Sequence, residues 1–267
     1  MRVGVVQLTS TDDVASNLAA AEKGVREAAA QGAGFVALPE MFAFLRREGG
    51  ALPVAQGLDG PIVAAARSWA RDLGVRLLAG SFAERVPGED RVYNTSVLIS
   101  PAGEIEASYR KIHLFDVDLE DAGGGAYRES ARIAPGDQVV VADTPLGGVG
   151  LSVCYDLRFP ELYRQMAARG AVVLTVPSAF TRETGKDHWE VLLRARAIEN
   201  QAFVVAPAQC GRHSPDRASH GRSLIVDPWG LVLAQLGDRP GVAVAECDLE
   251  ELARVRRRLP ALSHRRL

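Results

Sequence analysis

Two kinds of hydrophobic run alternate along the chain. Short apolar stretches rich in β-branched residues cover 3–8, 35–38, 76–82, 95–100, 104–110, 149–153, 172–176, 203–207, 223–226, 232–235 and 242–247, and their length and composition predict strands. Between them lie runs with helical spacing. Val14, Leu18, Ala21, Val25 and Ala28 form a stripe after Asp12-Asp13, with Gly32 placed as a terminating glycine. Gly60-Pro61 opens a second helix to Leu73. A third is expected over 159–169, stopped by Gly170, a fourth over 186–201 with Glu190 and Arg194 spaced for an ion pair, and a fifth over 249–258. Turn residues at 100–104 and 227–230 predict two hairpins. Hairpins mixed with strand–helix units point away from one parallel sheet and towards two mixed sheets packed together with helices outside.

Composition narrows this to a globular protein with a large core. The chain has 267 residues, 47% hydrophobic and 24% charged, which excludes a disulfide-stapled peptide and a disordered tail. No repeat or linker divides it, so one domain over 1–267 is expected; Gly123-Gly124-Gly125 reads as a flexible loop. With 31 basic and 33 acidic residues, nothing suggests nucleic acid or an anionic lipid surface as partner, and a small molecule fits better. The longest apolar run, starting at Ala171, is too short to span a bilayer, and the first residues read as a buried strand rather than a signal peptide. Cys154, Cys210 and Cys247 are odd in number and far apart, so neither a disulfide framework nor a metal site is expected, and the cytoplasm is the default location.

Candidate chemistry gathers at strand ends. The run Leu151-Ser152-Val153 delivers Cys154 straight into Tyr155-Asp156 and a helix start at Arg158-Phe159-Pro160-Glu161, an elbow that exposes a side chain beside free backbone N–H groups. A buried core cysteine is the plainer alternative. Glu40 ends the run Gly34-Phe35-Val36-Ala37-Leu38-Pro39, where a half-buried carboxylate with a raised pKa could act as a base. Lys111 and His113 follow another strand, and an ammonium beside a thiol would favour the thiolate. Glu129 stands in a polar segment, Arg128-Glu129-Ser130, before Pro135-Gly136-Asp137. Cys210 and Cys247 read as structural thiols, and Trp189 as core packing.

Taken together, Leu38-Pro39-Glu40, Tyr109-Arg110-Lys111-Ile112-His113-Leu114 and Cys154-Tyr155-Asp156-Leu157-Arg158-Phe159-Pro160-Glu161 closely resemble the nitrilase, or carbon–nitrogen hydrolase, superfamily over nearly the whole chain. Pro177-Ser178-Ala179-Phe180-Thr181, the stretch 184–199, Ala208-Gln209-Cys210-Gly211-Arg212-His213, Arg217-Ala218-Ser219 and Ile225-Val226-Asp227-Pro228-Trp229-Gly230 resemble the branch of deaminated glutathione amidases, with omega-amidases next. Two stretches depart from that branch and bear on the substrate pocket: Gly221-Arg222-Ser223 stands where Gly-His-Ser is expected, and the loop 120–126 is longer and richer in glycine.

The resemblance implies a four-layer αββα sandwich and hydrolysis of a small linear, carboxylate-bearing amide through a cysteine thioester, without cofactor or metal. It implies that Glu40 takes the Cys154 proton, that Lys111 and the Tyr155 backbone N–H hold the oxyanion, and that Glu129 positions Lys111 or assists the water. It also implies a homodimer, with 259–267 as an arm reaching across. Phe180, Thr181, His188 and Arg212 are the candidate substrate readers; Arg212 shares an expected loop from Gln209 to Arg222 with His213, Arg217, His220 and Arg222, any of which could serve. Deaminated glutathione is the expected substrate, and 2-oxoglutaramate, 2-oxosuccinamate, an N-carbamoyl amino acid or a nitrile the alternatives. Two readings of other classes are a non-catalytic regulatory protein of the same fold and a papain-like pair of Cys154 with His113 or His188.

Overall fold

The computed structural model describes residues 1–47, 50–122 and 125–266; most of the expected glycine loop lies outside them. The first half runs β1 (Arg2–Gln7), α1 (Val14–Ala30), β2 (Phe35–Ala37), α2 (Pro61–Leu73), β3 (Arg76–Leu78), β4 (Phe82–Arg85), β5 (Val92–Ile99) and β6 (Ile105–Arg110). A small ribbon of β7 (Asp116–Asp118) and β8 (Ala126–Arg128) follows. The second half runs β9 (Val141–Thr144), β10 (Gly147–Leu151), α3 (Pro160–Ala168), β11 (Ala171–Thr175), α4 (Arg182–Asn200) and β12 (Phe203–Ala206). It continues through β13 (Cys210–Ser214), β14 (Arg217–His220), β15 (Leu224–Val226), β16 (Val232–Gln235), β17 (Gly241–Glu246) and α5 (Leu249–Arg258).

Two mixed sheets carry the core. The first has seven strands in the order β17-β1-β2-β3-β5-β4, with β6 also on β5; β1, β2 and β3 are parallel and the flanking pairs antiparallel. The second has six, β16-β15-β12-β11-β10-β9, with a parallel centre of β10, β11 and β12. Val3, Val5, Phe35 and Leu98 of the first sheet pack with Leu151, Val173 and Val204 of the second in one apolar cluster. The outer face of the first sheet, through Val6, Val36 and Val97, meets Ala21 and Val25 of α1 and Trp69 of α2. Leu162 and Met166 of α3 and Trp189 and Leu193 of α4 join the second sheet's cluster. The result is the expected αββα sandwich. Strands covered on both faces explain why the central runs are uniformly apolar rather than alternating.

Helix ends follow local chemistry. Asp13 caps α1 by accepting from the Ser16 N–H at 3.1 Å, and Gly32 beyond its end has φ +84°. Proline occupies the first turn of both α2 and α3. The Glu190–Arg194 pair forms on α4 at 3.7 Å.

Three expectations change. The run 76–82 is not one strand: it breaks at Gly80, where φ is +36° and a Cβ would stand 1.9 Å from the Pro39 carbonyl oxygen, so the backbone turns there against the segment bearing Glu40. Helix α4 begins at Arg182 rather than Lys186. Gly185, just before the expected start, is required under His220, whose ring a Cβ would meet at 2.4 Å. The expected loop from Gln209 to Arg222 is mostly the β13–β14 hairpin.

Candidate active site

The carboxyl ends of β2, β6, β10 and β11 meet where the two sheets face each other. Chain reversal at Gly80 pins Pro39, the Gln209 side chain donates to the Glu40 carbonyl at 3.0 Å, and the next N–H, of Met41, donates to Ser81 Oγ at 3.0 Å. Glu40 is thus delivered in a fixed pose and is 5% exposed. Lys111 leaves the end of β6 and is 2% exposed. Its ammonium donates to both oxygens of Glu129 at 2.9 Å and to Glu40 Oε1 at 3.2 Å. Glu129 is held in turn by the Phe115 N–H at 2.7 Å.

The second sheet supplies the thiol. Cys154 has φ +51°, in the left-handed region, which costs a residue other than glycine about 1–2 kcal/mol. Its N–H donates to the Pro177 carbonyl at 3.0 Å, so it is engaged. The following N–H, of Tyr155, lies in the first turn of a short 3-10 helix over Cys154–Arg158, a position without an intrahelical acceptor. From the end of β11, the Ala179 N–H donates to Glu40 Oε2 at 2.7 Å. Asn94 of β5 donates to Glu40 Oε1 at 2.8 Å.

These surroundings set the protonation states. Burial pushes the Cys154 thiol well up, the Glu40 charge pushes the same way, and Lys111 opposes both without prevailing. These influences favour the protonated thiol, with Glu40 beside it to take the proton. Burial alone would raise Glu40, but the Lys111 ammonium, then hydrogen bonds from Cys154, Asn94 and Ala179, hold it below the ordinary carboxylate value. Burial disfavours charge on Lys111, yet Glu129, Glu40 and Cys154 together hold it well above the usual lysine value. The arrangement can pass a proton from sulfur to carboxylate beside a permanent cation, which suits attack on a carbonyl.

The four residues line one cleft of about 840 Å³ that opens to solvent. Phe44, Leu52, Phe115, Tyr127 and Ile133 make much of its wall apolar, and Thr181, Thr184, Arg46 and Arg217 add polar and cationic groups. Phe180 and Thr181 lie in this wall as candidate readers. His188 and Arg212 do not: His188 is on the exposed face of α4 against Arg158 Nη1 at 3.2 Å, and exposed Arg212 donates to the Pro215 carbonyl at 2.7 Å. His213 is buried between the Ser10 carbonyl and Ser219 Oγ, and Arg222 pairs with Asp238 at 2.9 Å, away from the cleft.

His113 also turns elsewhere. Its ring nitrogen Nδ1 is 2.7 Å from Oδ1 of the fully buried Asp156, and the ring stacks on Phe159 at 3.7 Å between centroids. The same carboxylate accepts from the N–H groups of His113 and Val153 and from the Tyr109 hydroxyl, at 3.0, 2.8 and 2.7 Å. Asn94 and Ala179 are the site members that sequence reasoning missed. The signal for Asn94 was a polar string, Asn94-Thr95-Ser96, inside an otherwise apolar strand; for a main-chain N–H there was none. Among the described residues no group of three or more His, Cys, Asp or Glu could hold a metal ion, and no helix is long and apolar enough to cross a membrane.

Comparison with known proteins bears on this geometry. The profile of the carbon–nitrogen hydrolase family matches residues 2–257. The chain is 46% identical over 263 residues to the deaminated glutathione amidase of Synechocystis, covering 97% of this chain and 96% of that one. It is 46% identical over 271 residues to the human deaminated glutathione amidase, covering 99% and 82%. The solved structure of the C. elegans NitFhit protein superposes with a TM-score of 0.92 at 40% identity over 99% of this chain, which spans 65% of the NitFhit chain's length.

Proposed function

From the premise that the chain is an amidase of the carbon–nitrogen hydrolase family, we propose that it hydrolyses a small linear carboxamide to carboxylate and ammonia through Cys154, Glu40, Lys111 and Glu129. The observation that carries this reading is a thiol, a carboxylate and a buried ammonium bound to that carboxylate, brought together at the floor of an open cleft.

Glu40 takes the thiol proton as the sulfur attacks the amide carbon. The oxyanion that forms rests on the Lys111 ammonium and the Tyr155 N–H. As the carbon–nitrogen bond breaks, Glu40 returns the proton to the departing nitrogen, which leaves as ammonia, and an acyl thioester remains on Cys154. Glu40 then takes a proton from water, whose oxygen attacks the thioester; the carboxylate product leaves and the sulfur regains its proton. Glu129 holds Lys111 in place through its paired contact. No added cofactor is needed for this sequence.

The proposed substrate is deaminated glutathione, on the strength of the names its relatives carry and of two arginines, Arg46 and Arg217, in the cleft wall to meet its carboxylates. Ammonia release from deaminated glutathione, 2-oxoglutaramate, an N-carbamoyl amino acid and a nitrile separates the alternatives. The first is expected to turn over fastest, and Cys154→Ala to lower its rate by at least about 1,000-fold. Robust turnover by that variant would sink the cysteine mechanism.

We further infer one domain over 1–267, a homodimer and a cytoplasmic setting. The exposed apolar side chains Val191 and Ile198 on α4 and Trp229 and Leu231 beyond β15 support a self-association face, and three unpaired thiols suit a reducing compartment. The segment at 259–267 starts tied to the end of α4 by Gln201 and is the arm proposed to reach the second copy. Sedimentation of the full chain tests the dimer.

A further inference from the structure

Among the described residues, Asn94 is hydrogen-bonded both to the proposed base and to the main chain of the proposed oxyanion cation. Its side chain is buried, with the residue 1% exposed, and it belongs to the cleft floor. Nδ2 donates to Glu40 Oε1 at 2.8 Å, and its main-chain carbonyl accepts from the Lys111 N–H at 2.9 Å. The Lys111 ammonium reaches the same Oε1 at 3.2 Å. One residue thereby sets where the carboxylate sits and where the lysine stem starts.

Stability does not explain an asparagine here. Oδ1, the other end of the amide, is buried and has no hydrogen-bond partner among the described residues, and a buried acceptor left unpaired is a cost that an apolar side chain of similar size would avoid. Nor is the side chain part of the strand ladder, since β5 pairs with β3, β4 and β6 through backbone groups.

We propose that Asn94 is a positioning residue of the hydrolytic site: its side-chain N–H anchors Glu40 against the Lys111 ammonium and keeps the carboxylate aimed at the Cys154 thiol. The inference rests on the reading of Glu40 as the proton acceptor. The groups that face Glu40 are Lys111 from the end of β6, the Cys154 thiol and the Ala179 N–H from the second sheet, with Glu129 beyond Lys111. Removing the Asn94 donor leaves burial less opposed, so the carboxylate takes up a proton at higher pH.

The test compares Asn94→Ala and Asn94→Leu with the wild-type chain. In both, kcat is expected to fall about 10- to 100-fold, the scale of a hydrogen bond to a charged group, with KM changed less than about threefold. The acid limb of the kcat/KM profile is expected to move up by about half a pH unit or more, and the same shift should appear in the pH dependence of Cys154 alkylation by iodoacetamide. Asn94→Leu, which deletes the unpaired acceptor as well and so offsets the lost hydrogen bond, should melt within a few degrees of wild type while still being slow. Wild-type kcat in the folded variants overturns the inference, as does slow turnover with both acid limbs unmoved. Glu40→Gln separates the two claims. If Glu40→Gln keeps full turnover, the base assignment falls; if it is inactive while the Asn94 variants match wild type, only the role of Asn94 falls.

Discussion

Two buried carboxylates flank the segment Lys111-Ile112-His113, and they are bound in opposite ways. Asp156 is fully buried and met on both oxygens by donors fixed in the framework, from Tyr109, Val153 and His113. None of these groups lines the cleft. Glu40 is nearly as buried, but it lines the cleft and faces a thiol that still holds its proton. Burial alone therefore does not mark a working carboxylate. What separates the two is whether the donors around it are all fixed, or whether one can give up its proton. Asp156 can only hold: it sews the Cys154 elbow, through Val153, to the strand end that carries Lys111. Glu40 can hold and also exchange.

The largest effect that would test this contrast comes from the cation shared by the reactive side. Lys111→Met leaves Glu40 and Glu129 facing each other without the ammonium between them, so stability should fall by about 3–5 kcal/mol and ammonia release by about 100- to 1,000-fold. Urea unfolding with a matched activity assay reads both, and a variant of wild-type stability would break the contrast. A buried histidine hydrogen-bonded to neither carboxylate gives a yardstick. Burial pulls His213 down to about 4, so below the ordinary value near 6.5 the unfolded chain takes up a proton before the folded one does. Stability is full above that value and declines as pH falls towards 4, by about 3 kcal/mol in all. His213→Gln should flatten the acid slope of the urea midpoint, and an unchanged slope would count against it.

The saturated side should give smaller losses. Asp156→Asn keeps the shape but turns an amide N–H towards groups that also donate, costing about 1–3 kcal/mol. Its residual activity per folded molecule should exceed that of Lys111→Met. If instead its kcat collapses while its melting temperature holds, Asp156 belongs to the reactive side after all. Smallest is His113→Ala, expected to lower kcat less than about tenfold, against the 100- to 10,000-fold that loss of a general base brings; a collapse would restore the cysteine–histidine reading.

Much of this was legible in the residues. Helix α2 runs from Pro61 to Leu73 as expected, because proline fixes its first turn and its apolar stripe is strongly periodic. Glu40 and Cys154 each follow an apolar run and Lys111 follows an alternating strand, and the structure brings all three to one cleft floor. The missed features are those decided by contacts distant in sequence. Gly80 breaks a strand because the Pro39 carbonyl occupies the space a side chain would need. Gly185 stays helical because His220 covers it. The hairpin of β13 and β14 is largely polar and carries no strand period, and Arg217 enters the cleft from it while Arg212 turns away. The protonated state of Cys154 is likewise a property of the assembled site, since Lys111 alone would have lowered its pKa.

Pairing of β1 with β17 has a consequence for the time course of folding. The Met1 ammonium reaches the Glu246 carboxylate 245 residues away, along a ladder that runs from Arg2 opposite Glu246 to Gln7 opposite Gly241. Glu40 finds Lys111 71 residues further along and the Ala179 N–H 139 residues further along. Contacts of such separation form late and slowly. On the ribosome the first strand must wait for β17 before its sheet is complete, and during that wait Cys154 is an ordinary thiol. Recovery of turnover after dilution from denaturant should therefore lag behind recovery of helix content, making the enzyme's own activity a clock for closure of the sandwich.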